Sequence, residues 1–151
     1  MKIIIASDHA GYELKEKLKK YLEQIGVNYE DVGPKRFEEK DDYPDFVIPA
    51  AKKVAKNPKS AKGIVIGGSG QGEAIAANKI KGIRAAVFYG GPLDIVKLSR
   101  EHNDSNILSL ASRFLTEEQA KVAVDIWLKT SFPKEERHVR RIKKIEEFEK
   151  G

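Results

Sequence analysis

The sequence predicts an α/β fold in three layers: a doubly wound sandwich around a five-stranded parallel sheet. Two observations predict it. Five short β-rich runs alternate with helix-periodic segments, and the runs are apolar enough to be covered on both faces, as the strands of a parallel sheet are. Right-handed crossovers follow, and ligands in such folds sit beyond the C-terminal ends of the strands.

The elements can be justified in order. Lys2 to Ala6 is the first strand. Leu14, Leu18, Leu22 and Ile25 then recur at helical spacing on one face, and Gly26 stops that helix. Val27 to Val32 reads as a second strand, and the charged, aperiodic stretch from Lys35 to Asp42 as a surface loop. Pro44 suits the first turn of a helix, where its missing N–H is not needed, and the helix fades at Asn57-Pro58. Gly63 to Ile66 is a compact third strand, Gly67 to Gly72 a glycine loop, and Glu73 to Asn78 the start of an alanine-rich helix. Ile83 to Phe88 forms a fourth strand, which ends at Gly90-Gly91-Pro92 before a helix containing Leu93, Val96 and Leu98. Asn106 to Leu110 is the fifth strand. Thr116 caps a helix running through Trp127, with Glu118 and Gln119 near the position a capping box requires. Phe132-Pro133 breaks it, and a last helix runs from about Lys134 to Phe148.

Composition narrows the function classes. The 151 residues suit a single domain spanning 1–151, with no internal repeat, low-complexity tract or linker. There is no cysteine, which excludes a disulfide, a thiolate nucleophile and a Cys-ligated metal. His9, His102 and His138 are too scattered for a ligand set, so no metal is expected. The first apolar run breaks at Asp8, far short of a signal peptide or membrane span, and a cytoplasmic home with no membrane partner is the expectation. The net charge of +5, from 28 basic and 23 acidic residues, suits a small anion as well as nucleic acid. Acids and bases intermix through the C-terminal segment, which argues against a nucleic-acid surface.

Chemistry concentrates at the predicted C-terminal strand ends, where Ser7, Asp8, His9, Tyr89 and Arg113 join the glycine loop. Gly67, Gly68, Gly70 and Gly72 allow backbone N–H groups to converge on an anion at a helix N-terminus. The loop follows the third strand, and no acidic residue ends the next one, so the dinucleotide pattern is a poor match; no Gly-Lys-Ser/Thr follows, so neither is it a P-loop. Glu73, beside glycines that can stabilise an oxyanion, suits abstraction of a proton next to a carbonyl. The helix dipole should lower its basicity, and desolvation must work against that. Asp8-His9 reads as a base with its orienter or as a proton shuttle. On the last helix Arg137, Arg141 and Lys144 share a stripe that could clamp a phosphate, while Ile142, Ile145 and Phe148 mark a separate apolar face. His102 and Asn103 precede the fifth strand, at the edge opposite the expected site. Any role there requires a neighbouring subunit, and the final helix is a plausible arm across a dimer.

Ser7-Asp-His-Ala-Gly-Tyr-Glu-Leu-Lys, Asp42-Tyr-Pro-Asp45, Gly67-Gly-Ser-Gly-Gln-Gly-Glu73, Ile75-Ala-Ala-Asn-Lys79, Gly82-Ile-Arg-Ala85, Arg100-Glu-His-Asn-Asp104 and Arg137-His-Val-Arg-Arg-Ile142 together resemble the type B ribose-5-phosphate isomerases. The wider grouping includes galactose-6-phosphate isomerase subunits and allose-6-phosphate isomerases. The resemblance implies a Rossmann-like domain that forms homodimers, in some members tetramers, with the C-terminal helix extending toward the partner and the site between subunits. It implies interconversion of D-ribose 5-phosphate and D-ribulose 5-phosphate through a cis-enediol(ate), without cofactor or metal. Many members carry a cysteine base at the position of Gly67; this chain resembles the subgroup whose base is a glutamate after the loop, here Glu73. Carried over, Asp8 and His102 assist ring opening, Ser69 holds or opens the sugar, and N–H groups around Gly68, Gly70 and Gly72 stabilise the negative oxygen. Asn103 binds the reacting oxygens, and His9, Arg113, Arg137, His138 and Arg141 surround the phosphate or hydroxyls. The rival expectations are isomerisation of a six-carbon sugar phosphate, such as allose 6-phosphate or galactose 6-phosphate, and a phosphate-binding module without turnover.

Overall fold

The computed structural model describes residues 1–151. Five parallel strands, β1 (Lys2–Ser7), β2 (Asn28–Gly33), β3 (Ala61–Gly67), β4 (Ala85–Phe88) and β5 (Ile107–Ala111), stand in the order β2-β1-β3-β5-β4. Helices α1 (Tyr12–Gln24), α4 (Asp94–Glu101) and α5 (Glu117–Lys129) cover one face, and α2 (Pro44–Lys56) and α3 (Gln71–Ala77) the other.

Strand periodicity divides the core. Ile3 and Ile5 of β1, Ile64 and Ile66 of β3 and Leu108 and Leu110 of β5 point to the first face, where Leu14, Leu18 and Leu22 of α1 meet Val124 and Trp127 of α5. Ile4, Ala6, Val65 and Ile107 point to the second face, against Val47, Ala50, Ala51 and Val54 of α2 and Ala77 of α3. The chain leaves β1 toward one face and β3 toward the other. Adjacent strands whose helices diverge in this way open a crevice at their C-terminal ends, and Asp8 and the glycine loop stand there.

Most expected elements are present, with boundaries moved for local reasons. The Thr116 capping box closes from both sides: Thr116 Oγ1 accepts the Gln119 N–H at 3.1 Å, and Gln119 Oε1 accepts the Thr116 N–H at 2.8 Å. β4 begins at Ala85 rather than Ile83, because side chains take the place of the ladder: Asn106 Oδ1 accepts the Arg84 N–H at 2.7 Å and Asn78 Oδ1 the Ala85 N–H at 2.8 Å. The last helix, α6 (Glu136–Lys150), starts after Lys134, whose φ of 60° is incompatible with a right-handed helix. α3 starts at Gln71, so Glu73 lies inside its first turn and the loop proper is Gly68 to Gly70.

α6 belongs to neither core cluster. It buries Ile142 and His138, but Ile145 and Phe148 are 50% and 85% exposed. No helix is long and apolar enough to cross a membrane.

One interior charge was not foreseen. Lys15 of α1 is fully buried, with its ammonium donating to Asp31 Oδ1 and Oδ2 at 2.8 and 3.0 Å and to the Pro34 carbonyl at 2.5 Å. Lys19 shares Asp31 at 2.8 Å. Burial pulls the Lys15 pKa down and Asp31 works against it. Truncating one partner of a buried pair strands the other charge, at a cost of about 3–5 kcal/mol. Asp31→Ala should therefore lower the urea midpoint more than Lys15→Met, which removes the buried cation itself and leaves Asp31 paired with Lys19.

Candidate active site

The site starts from how the glycine loop is held. Its carbonyls turn toward the segment after β5: Gly67 O accepts the Ser112 N–H at 2.8 Å, Gly68 O the Arg113 N–H at 3.1 Å, and Gly70 O the Ser109 hydroxyl at 2.7 Å. With the carbonyls committed there, the N–H groups of Gly68, Ser69, Gly70 and Gly72 have no acceptor within the chain. Gly70 makes this turn in the left-handed region, φ 75°, a conformation that glycine adopts without a Cβ penalty. Ser69 is exposed, and its hydroxyl accepts the Gln71 N–H at 3.3 Å. A row of unpaired donors at a helix start is a place for a negative oxygen.

Glu73 closes the back of this loop. It is 3% exposed, and its carboxylate lies so close over Gly67 that a Cβ built on the glycine would overlap the carboxyl carbon and both oxygens. The space a side chain would fill at position 67 is filled from position 73. Burial, reinforced by the nearby Asp8 charge, raises the Glu73 pKa above the usual carboxylate range, while its own backbone N–H opposes the rise. Burial thus outweighs the hydrogen bond from the helix-start N–H, which acts in the direction expected of a helix N-terminus.

Asp8 and His9 complete this end. Asp8 is 7% exposed and its Oδ1 accepts the Gly11 N–H at 3.0 Å. The Arg113 guanidinium lies flat over Gly68, 3.1–3.2 Å from where a Cβ would stand. Two residues were given no role from sequence. The Asp41 carboxylate holds the His9 ring at 2.8 Å, and the Tyr43 ring packs on Gly72, with its Cζ 2.6 Å from a built Cβ. Asp41 lay in a stretch that read only as charged loop; Tyr43 stood inside the quoted Asp42-Tyr-Pro-Asp45 motif, which was its one signal.

The chain does not bring all the predicted residues together. Asp8, His9, Gly68, Ser69, Gly70, Gly72, Glu73 and Arg113 gather at the C-terminal strand ends. His102 caps the C-terminus of α4, which runs back to the opposite edge, and Asn103 follows it there. His102 stacks on His138 of α6, with ring centroids 4.2 Å apart and planes 18° from parallel. Within one chain, therefore, His102 does not reach Asp8. His138 is 4% exposed and its Nε2 has no hydrogen-bond partner, with Glu135 Oε2 3.9 Å away. Burial first, then His102 and Arg137, lower its pKa, against Glu135, which raises it; Arg141 adds to the lowering. Arg137 pairs with Glu135 at 3.3 Å and, like Arg141, is exposed.

Comparison with known proteins assigns the chain. Residues 3–145 match the model of the family described as Ribose/Galactose Isomerase. The chain belongs to that family. It is 41% identical over 150 residues to the ribose-5-phosphate isomerase B of Mycobacterium tuberculosis, covering 99% of this chain and 91% of the mycobacterial one. Among solved structures it is similar to ribose-5-phosphate isomerase B from Mycoplasma genitalium with bound ribulose-5-phosphate, at 43% identity and a TM-score of 0.93 over 99% of this chain and 96% of that one. The Clostridium thermocellum ribose-5-phosphate isomerase B structure matches at 45% identity and a TM-score of 0.92, covering 99% and 98%.

For this member of the ribose/galactose isomerase family, the raised Glu73 pKa has a stability consequence. The folded protein keeps the Glu73 proton through a range where the unfolded chain has lost it, so stability falls as pH rises from the ordinary carboxylate range through the raised pKa, then levels. Glu73→Gln lacks that fall. Urea midpoints of the two proteins should diverge in favour of the variant as pH rises from about 4 toward 8; a gap that does not change with pH would contradict a raised Glu73 pKa.

Proposed function

We propose that the chain interconverts D-ribose 5-phosphate and D-ribulose 5-phosphate through a cis-enediol(ate), with Glu73 as the base. The Glu73 carboxylate packed over Gly67, beside a row of unpaired loop N–H groups, carries the reading. A sugar's α-proton is weakly acidic, so its removal needs a base and an oxyanion stabiliser within one substrate's reach. In the open-chain aldose, Glu73 takes the proton from C2 while negative charge gathers on O1, which the N–H groups of Gly68, Ser69, Gly70 and Gly72 receive. The O2 proton passes to O1, and Glu73 returns its proton to C1 on the same face, giving the ketose. A carboxylate whose pKa is raised by burial is a stronger base than an exposed one and still returns the proton it takes.

Ring opening comes first and needs a group to protonate the ring oxygen and one to take the anomeric proton, roles that fit His102 and Asp8. Ser69 faces the sugar from the loop, and Asn103 binds its reacting oxygens. His9, Arg113, Arg137, His138 and Arg141 suit the phosphate and hydroxyls. The division of these residues between two sheet edges supports a homodimer of one-domain subunits. Asp8, His9, Glu73, Arg113 and the loop stand at one edge and His102, Asn103, Arg137, His138 and Arg141 at the other, and a twofold axis would bring one subunit's His102 cluster to its partner's Glu73. The exposed Ile145 and Phe148 of α6 offer the apolar surface such an arm requires.

In a chelating buffer the protein should convert ribose 5-phosphate to ribulose 5-phosphate and, in heavy water, exchange deuterium at C2. Glu73→Gln should lower kcat by roughly 10²–10⁴-fold. Gly67→Ala should also lower kcat, because the new methyl needs the carboxylate's place. Absence of conversion would overturn the reading. Faster turnover of allose 6-phosphate or galactose 6-phosphate in parallel assays would move it to a six-carbon substrate, and phosphate binding without exchange would favour a non-catalytic module.

A further inference from the structure

His9 is held by one carboxylate from a distant part of the chain. Asp41 Oδ1 accepts the His9 main-chain N–H at 2.9 Å and the ring Nδ1–H at 2.8 Å. With Nδ1 committed as a donor, Nε2 is the ring nitrogen left for another partner. Phe37 packs edge-on to the ring, 6.4 Å between centroids, and itself meets Tyr12 edge-on at 6.3 Å, so the imidazole is flanked by an aromatic wall as well as held at one nitrogen.

Asp41 has no evident packing reason to be where it is. Its side chain is only 6% exposed, its Oδ2 is buried without a partner, and it belongs to neither core cluster. Burying a carboxylate with an unsatisfied oxygen is destabilising, so its two bonds to His9 are the return on that cost. The segment that carries Asp41 is itself anchored at its start, where the Lys15 ammonium bonds the Pro34 carbonyl and the Lys35 ammonium bonds the Asp31 carbonyl.

We propose that Asp41 is a positioning residue that locks the His9 ring through Nδ1, so that its Nε2 edge meets an anionic oxygen of the sugar phosphate. The proposal rests on the reading of His9 as a substrate ligand. The charged groups around His9 are consistent with it: the Asp41 hydrogen bond raises the His9 pKa, burial lowers it, Asp8 raises it and Arg113 lowers it, with a net rise above 6.5. An imidazolium donates from both nitrogens, so the Nε2–H is available to a phosphate until pH passes the raised pKa, and is lost above it.

Two substitutions separate geometry from charge. Asp41→Asn keeps an oxygen able to accept both N–H groups but removes the charge; Asp41→Ala removes both. KM and kcat for ribose 5-phosphate would be followed between about pH 6 and 9, alongside the ring-nitrogen NMR signals of His9 in the substrate-free protein. In Asp41→Ala the Nδ1–H preference should disappear and KM rise about tenfold, with a smaller change in kcat. Asp41→Asn should keep the Nδ1–H signal but titrate His9 at lower pH, so that its KM begins to climb at lower pH than in the wild type. Ionisation of the substrate phosphate near pH 6 is common to all the proteins and drops out of the comparison. His9→Asn distinguishes the two levels of failure. If His9→Asn raises KM but Asp41→Ala leaves either KM or the His9 signals unchanged, the proposal is overturned and the placement of His9 stands. A wild-type KM in His9→Asn overturns that placement and the proposal with it.

Discussion

The contact between the Glu73 carboxylate and the bare Cα of Gly67 is the constraint around which the rest of the site is arranged. A side chain at position 67 and a carboxylate from position 73 cannot share that space. Because Glu73 sits in the first turn of α3, the loop must bring α3 back tightly over the end of β3, and it does so through the left-handed turn at Gly70 and the anchoring of its carbonyls to Ser109, Ser112 and Arg113. The same anchoring leaves the N–H groups facing the other way. The buried carboxylate and the row of unpaired N–H groups are thus consequences of one packing arrangement. That arrangement buries a carboxylate at some expense in stability, which the two apolar layers on either side of the sheet offset.

Charge is divided across the fold as deliberately as apolar surface is. Asp8 and Glu73 stand with His9 and Arg113 at the C-terminal strand ends, while His102, Arg137, His138 and Arg141 gather with Glu135 where α4 ends and α6 begins. Burial first, then the His102 ring stacked on it with centroids 4.2 Å apart, holds the His138 pKa below the usual imidazole range. α6 owes little to either core cluster, and its apolar residues beyond Ile142 face outward.

Much of this was legible in the residues because periodicity reports burial directly. The apolar runs of β1, β3 and β5 and the Leu14, Leu18, Leu22 stripe are patterns that strands and a helix can bury, whereas the edge strands β2 and β4 stay half-exposed. Glycines between a strand and a helix, followed by Glu73, likewise marked a candidate site. Where local chemistry competed with pattern, boundaries moved: Asn78 and Asn106 replaced ladder partners around Arg84, and Lys134 took a φ that no helix accepts. Lys15 and Asp41 were not legible at all. A lysine on an apolar helix stripe and an aspartate in a charged loop look like solvent-facing residues until the partners that bury them, Asp31 and His9, are brought alongside.

By itself the sequence determined the class of sheet, the glycine loop and the candidate base, because each is encoded by residues adjacent in the chain, and its motif set pointed to the family. Only the tertiary structure decided that Glu73 fills the space a side chain at Gly67 would need, that its carboxylate is buried and its pKa thereby raised, and that His102 and Asp8 lie at opposite edges of one subunit. Those are properties of distance and solvent exclusion between segments far apart in sequence, and spacing along a chain carries no measure of either.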